Sequence, residues 1–352
     1  MPRTGRAIVM KGRELGIREY PVPDPAPGTM LLRQELAGIC GTDIHNWEHQ
    51  RLSGEILLGH ENVGIIDRLG SGVTHDHLGR PLREGDRVVF PPGNPHGAYG
   101  FVPPDPIPFR GGFGDYIYLA QPETIVFKTD LPPEVGVLTE PFTVGVHGVM
   151  RSGLKFGDTV VVQGSGAIGL VTLIAAKASG AGRLIVVGGP PGRLALAKRL
   201  GADVTIDIAE VRDPAERTRL VREATPRQRG ADIVFECAGF LGAIPEGLGY
   251  VRQSGTYVEM GHFVDVGTFE FNPNTMIMRR NLHIEAVWGY GSIEVWERAL
   301  PILERNEFPF AALVEPILPL ERIDEGFEAL SGNYRIANRD VIKVAVRGAV
   351  AG

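Results

Sequence analysis

Four side chains of metal-ligating type stand at Cys40, in the run GICGTDIH, at the neighbouring His60 and Glu61, in LGHENVG, and at Glu140, in LTEPFTVGVHG. A thiolate, an imidazole and carboxylates are donors that zinc accepts at about 2.0–2.3 Å, with one position left open where the ion does chemistry. About a hundred residues separate the first donor from the last, and no CxxC pair lies between them. Donors so far apart meet only through the fold, which points to a catalytic centre rather than a small structural knuckle. A lone cysteine is most often a small apolar core residue, so the weight rests on the joint pattern. Each donor sits near glycines (Gly38, Gly41, Gly59, Gly64) that permit tight backbone paths.

A second constellation is GSGAIG, with glycines at Gly164, Gly166 and Gly169 around Ala167 and Ile168. Residues 159–162 (TVVV) read as a buried parallel strand before it, and residues 170–179 as an apolar helix after it. In G-x-G-x-x-G the first glycine makes the turn, the second lets the backbone approach a pyrophosphate, and the third lets helix pack on strand. The free N–H groups at the helix start favour phosphate. The context predicts a dinucleotide site, and further strands at 184–187 and 203–208 with a helix near 193–200 continue the alternation.

The elements that must hold these residues divide the chain in three. Residues 1–144 show short strands (6–10, 30–36, 63–69, 86–89, 114–119) separated by turns, with prolines at 21, 23, 25 and 27. They predict a β-rich, partly barrel-like catalytic domain. Residues 91–113 form a long loop rich in Pro and Gly. Residues 145–285 alternate strand and helix, which predicts a doubly wound Rossmann domain. Residues 286–352, with helices near 293–304 and 323–331 and a last strand at 340–346, are expected to fold back onto the first domain. The fold class is therefore α/β.

A chain of 352 residues is long enough for two cores. The net charge of −6 argues against nucleic acid or an anionic membrane as partner. Apolar runs such as 174–178 fall far short of a bilayer span, and the opening MPRTGRAIVMKG lacks the core and cleavage site of a signal peptide. Cys40 and Cys237 are the two cysteines. With the first a candidate ligand, no disulfide is expected, which fits a reducing cytoplasm.

These motifs resemble those of the zinc-dependent medium-chain alcohol and polyol dehydrogenases over nearly the whole chain. The family patterns G-x-C-G-[ST]-D-x-H, G-H-E-x-x-G and E-P-x-x-V-G-x-H read here from Gly38 to His45, Gly59 to Gly64 and Glu140 to His147. The resemblance implies that Cys40 and His60 ligate one catalytic zinc, with Glu61 and Glu140 as exchangeable or water-linked carboxylates. It implies that Thr42 meets the substrate oxygen, that His45 carries the proton toward solvent, and that Asp43 orients the ligating imidazole. The activity implied is NAD- or NADP-linked interconversion of a secondary alcohol or cyclic polyol with its ketone, in a homodimer or homotetramer.

Three departures qualify the resemblance. Many members carry four cysteines in the loop equivalent to 91–113, where they bind a structural zinc; here that loop has none. The acid that normally meets the NAD ribose is replaced by Gly188, while Gly189 and Pro190 offer no grip on a 2′-phosphate and Arg193 reaches one or stacks on adenine. NAD and NADP therefore both stay open. Asn46-Trp47 stands where polyol enzymes often have Tyr-Trp, and the run from Gly72 to Asp86 resembles a subgroup that includes inositol-derivative dehydrogenases. Trp47, Phe113, Trp288 and Tyr290 are candidates for an apolar substrate pocket, and each reads at least as well as an ordinary core or interface residue. Two other readings stay open here: a zinc-free NADPH quinone or double-bond reductase, and a non-catalytic nucleotide-binding protein.

Overall fold

The strand Met30–Gly38 (MLLRQELAG) buries almost every side chain and is the spine of the first unit, with Cys40 two residues beyond its end. The computed structural model describes residues 3–94, 97–120 and 125–348. The spine pairs antiparallel with Glu61–Leu69 along nearly its whole length. Its other edge meets Tyr116–Leu119 at its start and Lys343–Arg347 at its end. Arg87–Val89, Phe127–Lys128 and Val314–Pro319 complete a seven-stranded sheet, and Glu14–Pro21, Thr4–Lys11 and Glu55–Leu57 form a second, three-stranded one. These elements belong to one compact unit, Met1–Glu140 with Phe310–Gly352.

Register does the positioning. Gly38 stands opposite Glu61, and the chain then turns into the helix Gly41–His49 with Cys40 as its N-cap residue. A Cβ at Gly38 would lie 2.1 Å from Glu61 Oε2, so the acid itself demands glycine there. The loop 91–113 is tied down by aromatic burial. Tyr99, Phe109 and Phe113 are all buried, with edge contacts from Phe90 to Tyr99 and from Phe109 to Tyr116. Residues 95–96 of that loop lie outside the described residues.

The second unit, Pro141–Pro309, is built on six parallel strands. Their spatial order is Val204–Asp207, Arg183–Gly188, Thr159–Gln163, Ala231–Glu236, Val251–Glu259, His283–Ala286. The central strands are buried along almost their whole length, as a parallel sheet covered on both faces requires. The helix expected at 170–179 runs Ala167–Ala178, three residues earlier, because Gly166 caps it.

The chain returns to the first unit at Phe310 rather than at 286. The edge strand His283–Ala286 and the helix Ile293–Glu304 both fall within Pro141–Pro309. The last strand is Lys343–Arg347; Asp340 belongs instead to a two-residue hairpin with Arg335. Strand Glu14–Pro21 escapes sequence reading because its side chains are mostly exposed and show no apolar alternation. Among the described residues no helix is long and apolar enough to cross a membrane.

Candidate active site

Cys40 has extended backbone (φ −92°, ψ 156°) at the head of the helix Gly41–His49. Asp43, three residues on and fully buried, accepts the Cys40 N–H at Oδ2 (2.9 Å). Its Oδ1 faces His60 Nδ1 at 3.7 Å, an ion-pair distance longer than a hydrogen bond, and among the described residues neither atom has a hydrogen-bond partner. One carboxylate thus positions both the cysteine backbone and the imidazole ring. Gly59 reaches φ +90° to turn the chain into His60, whose ring lies against Phe101 (5.1 Å between centroids). The donor atoms of Cys40, His60 and Glu61 all lie within 4.8 Å of one another.

Glu61 is gripped by a buried lysine. Lys343 Nζ donates to both carboxylate oxygens (2.6 and 2.7 Å) and to the Ile39 carbonyl (3.2 Å). A carboxylate has about four lone-pair sites, so Glu61 keeps acceptor capacity for a metal. Glu140 stands outside the trio, buried in the first turn of the helix Thr139–Ser152.

The charges in this nest do not balance. Counted by formal charge alone, a Cys40 thiolate and the carboxylates of Asp43, Glu61 and Glu140 would set four negative groups against the cation Lys343. The buried titratable groups respond by holding protons. Burial works to lower the His60 pKa, yet Asp43 and Cys40 overcome it and raise it well above its ordinary value. Burial, with Glu61 and Asp43, pushes the Glu140 carboxyl up to about 7 against the opposing pull of His60 and Lys343. A soft thiolate, an imidazole and surplus buried negative charge fit a divalent zinc ion, whose arrival would displace those protons.

Thr42 and His45 share the helix with Asp43, three residues apart and so on one face. The Cys40 thiol donates to Thr42 Oγ1 at 3.7 Å; as a thiolate the sulfur would accept instead. His45 stacks on His49 (5.7 Å, 20°), and burial, then the charge of His49, lower its pKa.

In the second unit the three glycines separate by role. Gly164 has φ +110°, and a Cβ there would lie 2.8 Å from the Cys237 carbonyl carbon. A Cβ at Gly169 would lie 2.0 Å from the Gly164 oxygen, while one at Gly166 would meet nothing within 4 Å. Two glycines are therefore needed by the protein's own packing, and the third leaves open space at the start of the helix carrying Ala167 and Ile168. Gly188 ends the neighbouring strand against Ser165, whose Oγ would stand 2.5 Å from an added Cβ. Arg193 is buried in the helix Pro191–Arg199 rather than extended into solvent.

The sequence matches two family models: "Alcohol dehydrogenase GroES-like domain" over residues 26–130 and "Zinc-binding dehydrogenase" over residues 167–305. It is 32% identical to sorbitol dehydrogenase of Gallus gallus, over 93% of this chain and 94% of that one. It is 31% identical to 5-exo-hydroxycamphor dehydrogenase of Pseudomonas putida, over 94% and 96%. The chain belongs to the zinc-dependent medium-chain alcohol and polyol dehydrogenases. A zinc-binding dehydrogenase from Sinorhizobium meliloti, solved with NADP, superposes with a TM-score of 0.83 at 25% identity, covering 98% of this chain and 99% of that one. The protein is an NAD(P)-linked oxidoreductase acting on CH–OH groups, with zinc as its metal.

Two features of this dehydrogenase differ from what its sequence suggests. Lys343 was missed, although a lysine inside the apolar run VIKVAV is the kind of buried charge that needs a partner. The aromatic pocket also changes. Trp47 and Phe113 are core residues packed edge-on against Phe327, and Trp47 Nε1 donates to the Arg13 carbonyl (2.6 Å). Tyr290 lies edge-on to Trp296, and Trp288 is 80% exposed.

Proposed function

We propose that Cys40, His60 and Glu61 hold the catalytic zinc, with Glu140 as the nearby water-linked carboxylate, and that the enzyme interconverts a secondary alcohol or cyclic polyol with its ketone. The observation that carries this is the convergence of those three donors within 4.8 Å, with the carboxyl groups of Asp43 and Glu140 also buried in the same unit. When bound, zinc supplies Lewis-acid polarisation of the substrate oxygen and the dinucleotide supplies the hydride acceptor. The chain's own residues handle the proton. Thr42 Oγ1 takes it from the substrate hydroxyl while passing its own along the helix face to the His45 ring, which releases it to solvent. Asp43 keeps the His60 ring oriented throughout, and Lys343, donating to both carboxylate oxygens, holds Glu61 in place. A zinc-free double-bond reductase or a non-catalytic protein has no use for this donor set.

Relatives named for an open-chain polyol and for a bicyclic alcohol support a screen over sugar alcohols, cyclic polyols and terpene-like secondary alcohols with both cofactors. In that assay Thr42→Ala should lose about 10²–10⁴-fold in turnover. His45→Ala should lose about tenfold to a hundredfold, partly restored by added imidazole, because water can replace a solvent-side base. Equal losses that imidazole does not rescue would make His45 structural.

We further propose a homodimer or homotetramer assembled partly through the edge strand His283–Ala286, which leaves Ile284 exposed. Light scattering at micromolar concentration checks it, and a monomer refutes it. Both cysteines are free thiols, which supports a cytoplasmic setting.

A further inference from the structure

The helix that begins at Cys40 carries a second ligand set that the reaction does not use as such. Its last turns read His45-Asn-Trp-Glu48-His49, and the i, i+3, i+4 spacing puts two imidazoles and a carboxylate on one face. Their ligand atoms lie within 4.8 Å of one another, and the two rings are nearly parallel. Ser331, from the helix Ile323–Ser331, donates to Glu48 Oε1 and so fixes the carboxylate in place. His49 is exposed and the other two are half-buried, so the cluster is open to ions from solution.

We propose that His45, Glu48 and His49 form a second, weaker zinc site whose occupancy stops the proton path. Two imidazoles and one carboxylate suit zinc and its softer neighbours rather than magnesium or calcium. Burial and the neighbouring His49 favour the neutral His45 ring, the form that ligates. Arg51, close enough to act on His45, weighs against a cation and keeps the site weaker than the thiolate centre. Binding through the His45 ring occupies the nitrogen that would accept the proton. The inhibitory half of this inference rests on the relay role given to His45 above; the metal site itself does not.

The test starts from holoenzyme dialysed to its tightly held zinc, titrated with zinc chloride in a non-chelating buffer. Bound zinc is followed by calorimetry and turnover by dinucleotide absorbance. A second zinc should bind in the micromolar range while turnover falls about tenfold or more, and magnesium should do neither. Measured against its own zinc-free rate, His49→Ala should need about tenfold or more zinc for the same fractional inhibition, with Glu48→Gln intermediate. No second bound ion, or unchanged inhibition in His49→Ala, overturns the site. Binding that depends on His49 without inhibition leaves the metal site standing and overturns the block, and with it the relay role of His45.

Discussion

Replacing Lys343 by Met removes the cation from a buried pair and leaves Glu61 with nothing to offset its charge. Both side chains are almost wholly buried, at 4% and 1% exposure, so solvent screens the interaction little. Breaking such a pair from one side costs about 3–5 kcal/mol, against a total stability of about 5–15 kcal/mol. Glu61→Gln should cost a similar amount, because it strands the lysine. The double variant Lys343→Met/Glu61→Gln should recover most of the loss, since no uncompensated charge is left. By contrast, Arg298→Ala, which breaks an exposed pair with Glu294, should cost about 0.5 kcal/mol or less. Metal-free protein is the right sample, so that zinc cannot rescue the stranded carboxylate. Native-state hydrogen exchange on peptides from Met30–Gly38 reports the first unit separately from the second. Single-variant effects that simply add, to within about 0.5 kcal/mol, would show that the pair is not the coupled, desolvated unit described here.

Other outcomes follow from the same geometry. Glu140, raised to about 7, and His60, also raised, stabilise the zinc-free fold while protonated. That stability is fully present below their unfolded values and is lost as pH rises through the folded ones. Metal-free enzyme should therefore lose about 3 kcal/mol on Glu140's account between about pH 4.5 and pH 8, and zinc should restore more stability the higher the pH. Melting curves of both forms across that window check this, and Glu140→Gln should flatten the metal-free profile; a metal-free stability that rises with pH contradicts it. Gly166→Ala should leave the melting temperature nearly unchanged but raise the KM for dinucleotide. Gly169→Ala, meeting backbone oxygen, should destabilise by about 1–3 kcal/mol; the reverse ordering contradicts the division of roles. Wild-type enzyme should use NAD and NADP with similar kcat/KM. Gly188→Asp alone would collide with Ser165, so the shift toward NAD should be sought in Gly188→Asp/Ser165→Gly. Strict NAD preference in the wild type would refute the reading of Gly188.

What the sequence made legible was chemistry with fixed local spacing. GSGAIG announces its turn because two of its glycines are required by the chain's own backbone, and the helix follows directly. Cys40, Asp43 and the helix they start lie within one turn, so their relation is local. The partner of Glu61 was not legible, because Lys343 arrives 282 residues later through a strand pairing that no local pattern encodes. The aromatic residues stayed ambiguous for a related reason. Trp47 and Phe113 look alike as core or as pocket until Phe327 is placed against them. Edge strands such as Glu14–Pro21, exposed on most positions, carry too little apolar contrast to be read in advance.

In the proposed mechanism, alcohol oxidation depends on one zinc held by Cys40, His60 and a carboxylate. Elemental analysis paired with turnover, before and after chelation, tests it directly on the wild type and on Cys40→Ser. One tightly held zinc per chain is expected, with activity lost on chelation and regained on adding zinc, and neither metal nor activity in Cys40→Ser. Full turnover in zinc-free protein, or a Cys40→Ser variant that keeps both its zinc and its rate, would contradict the account.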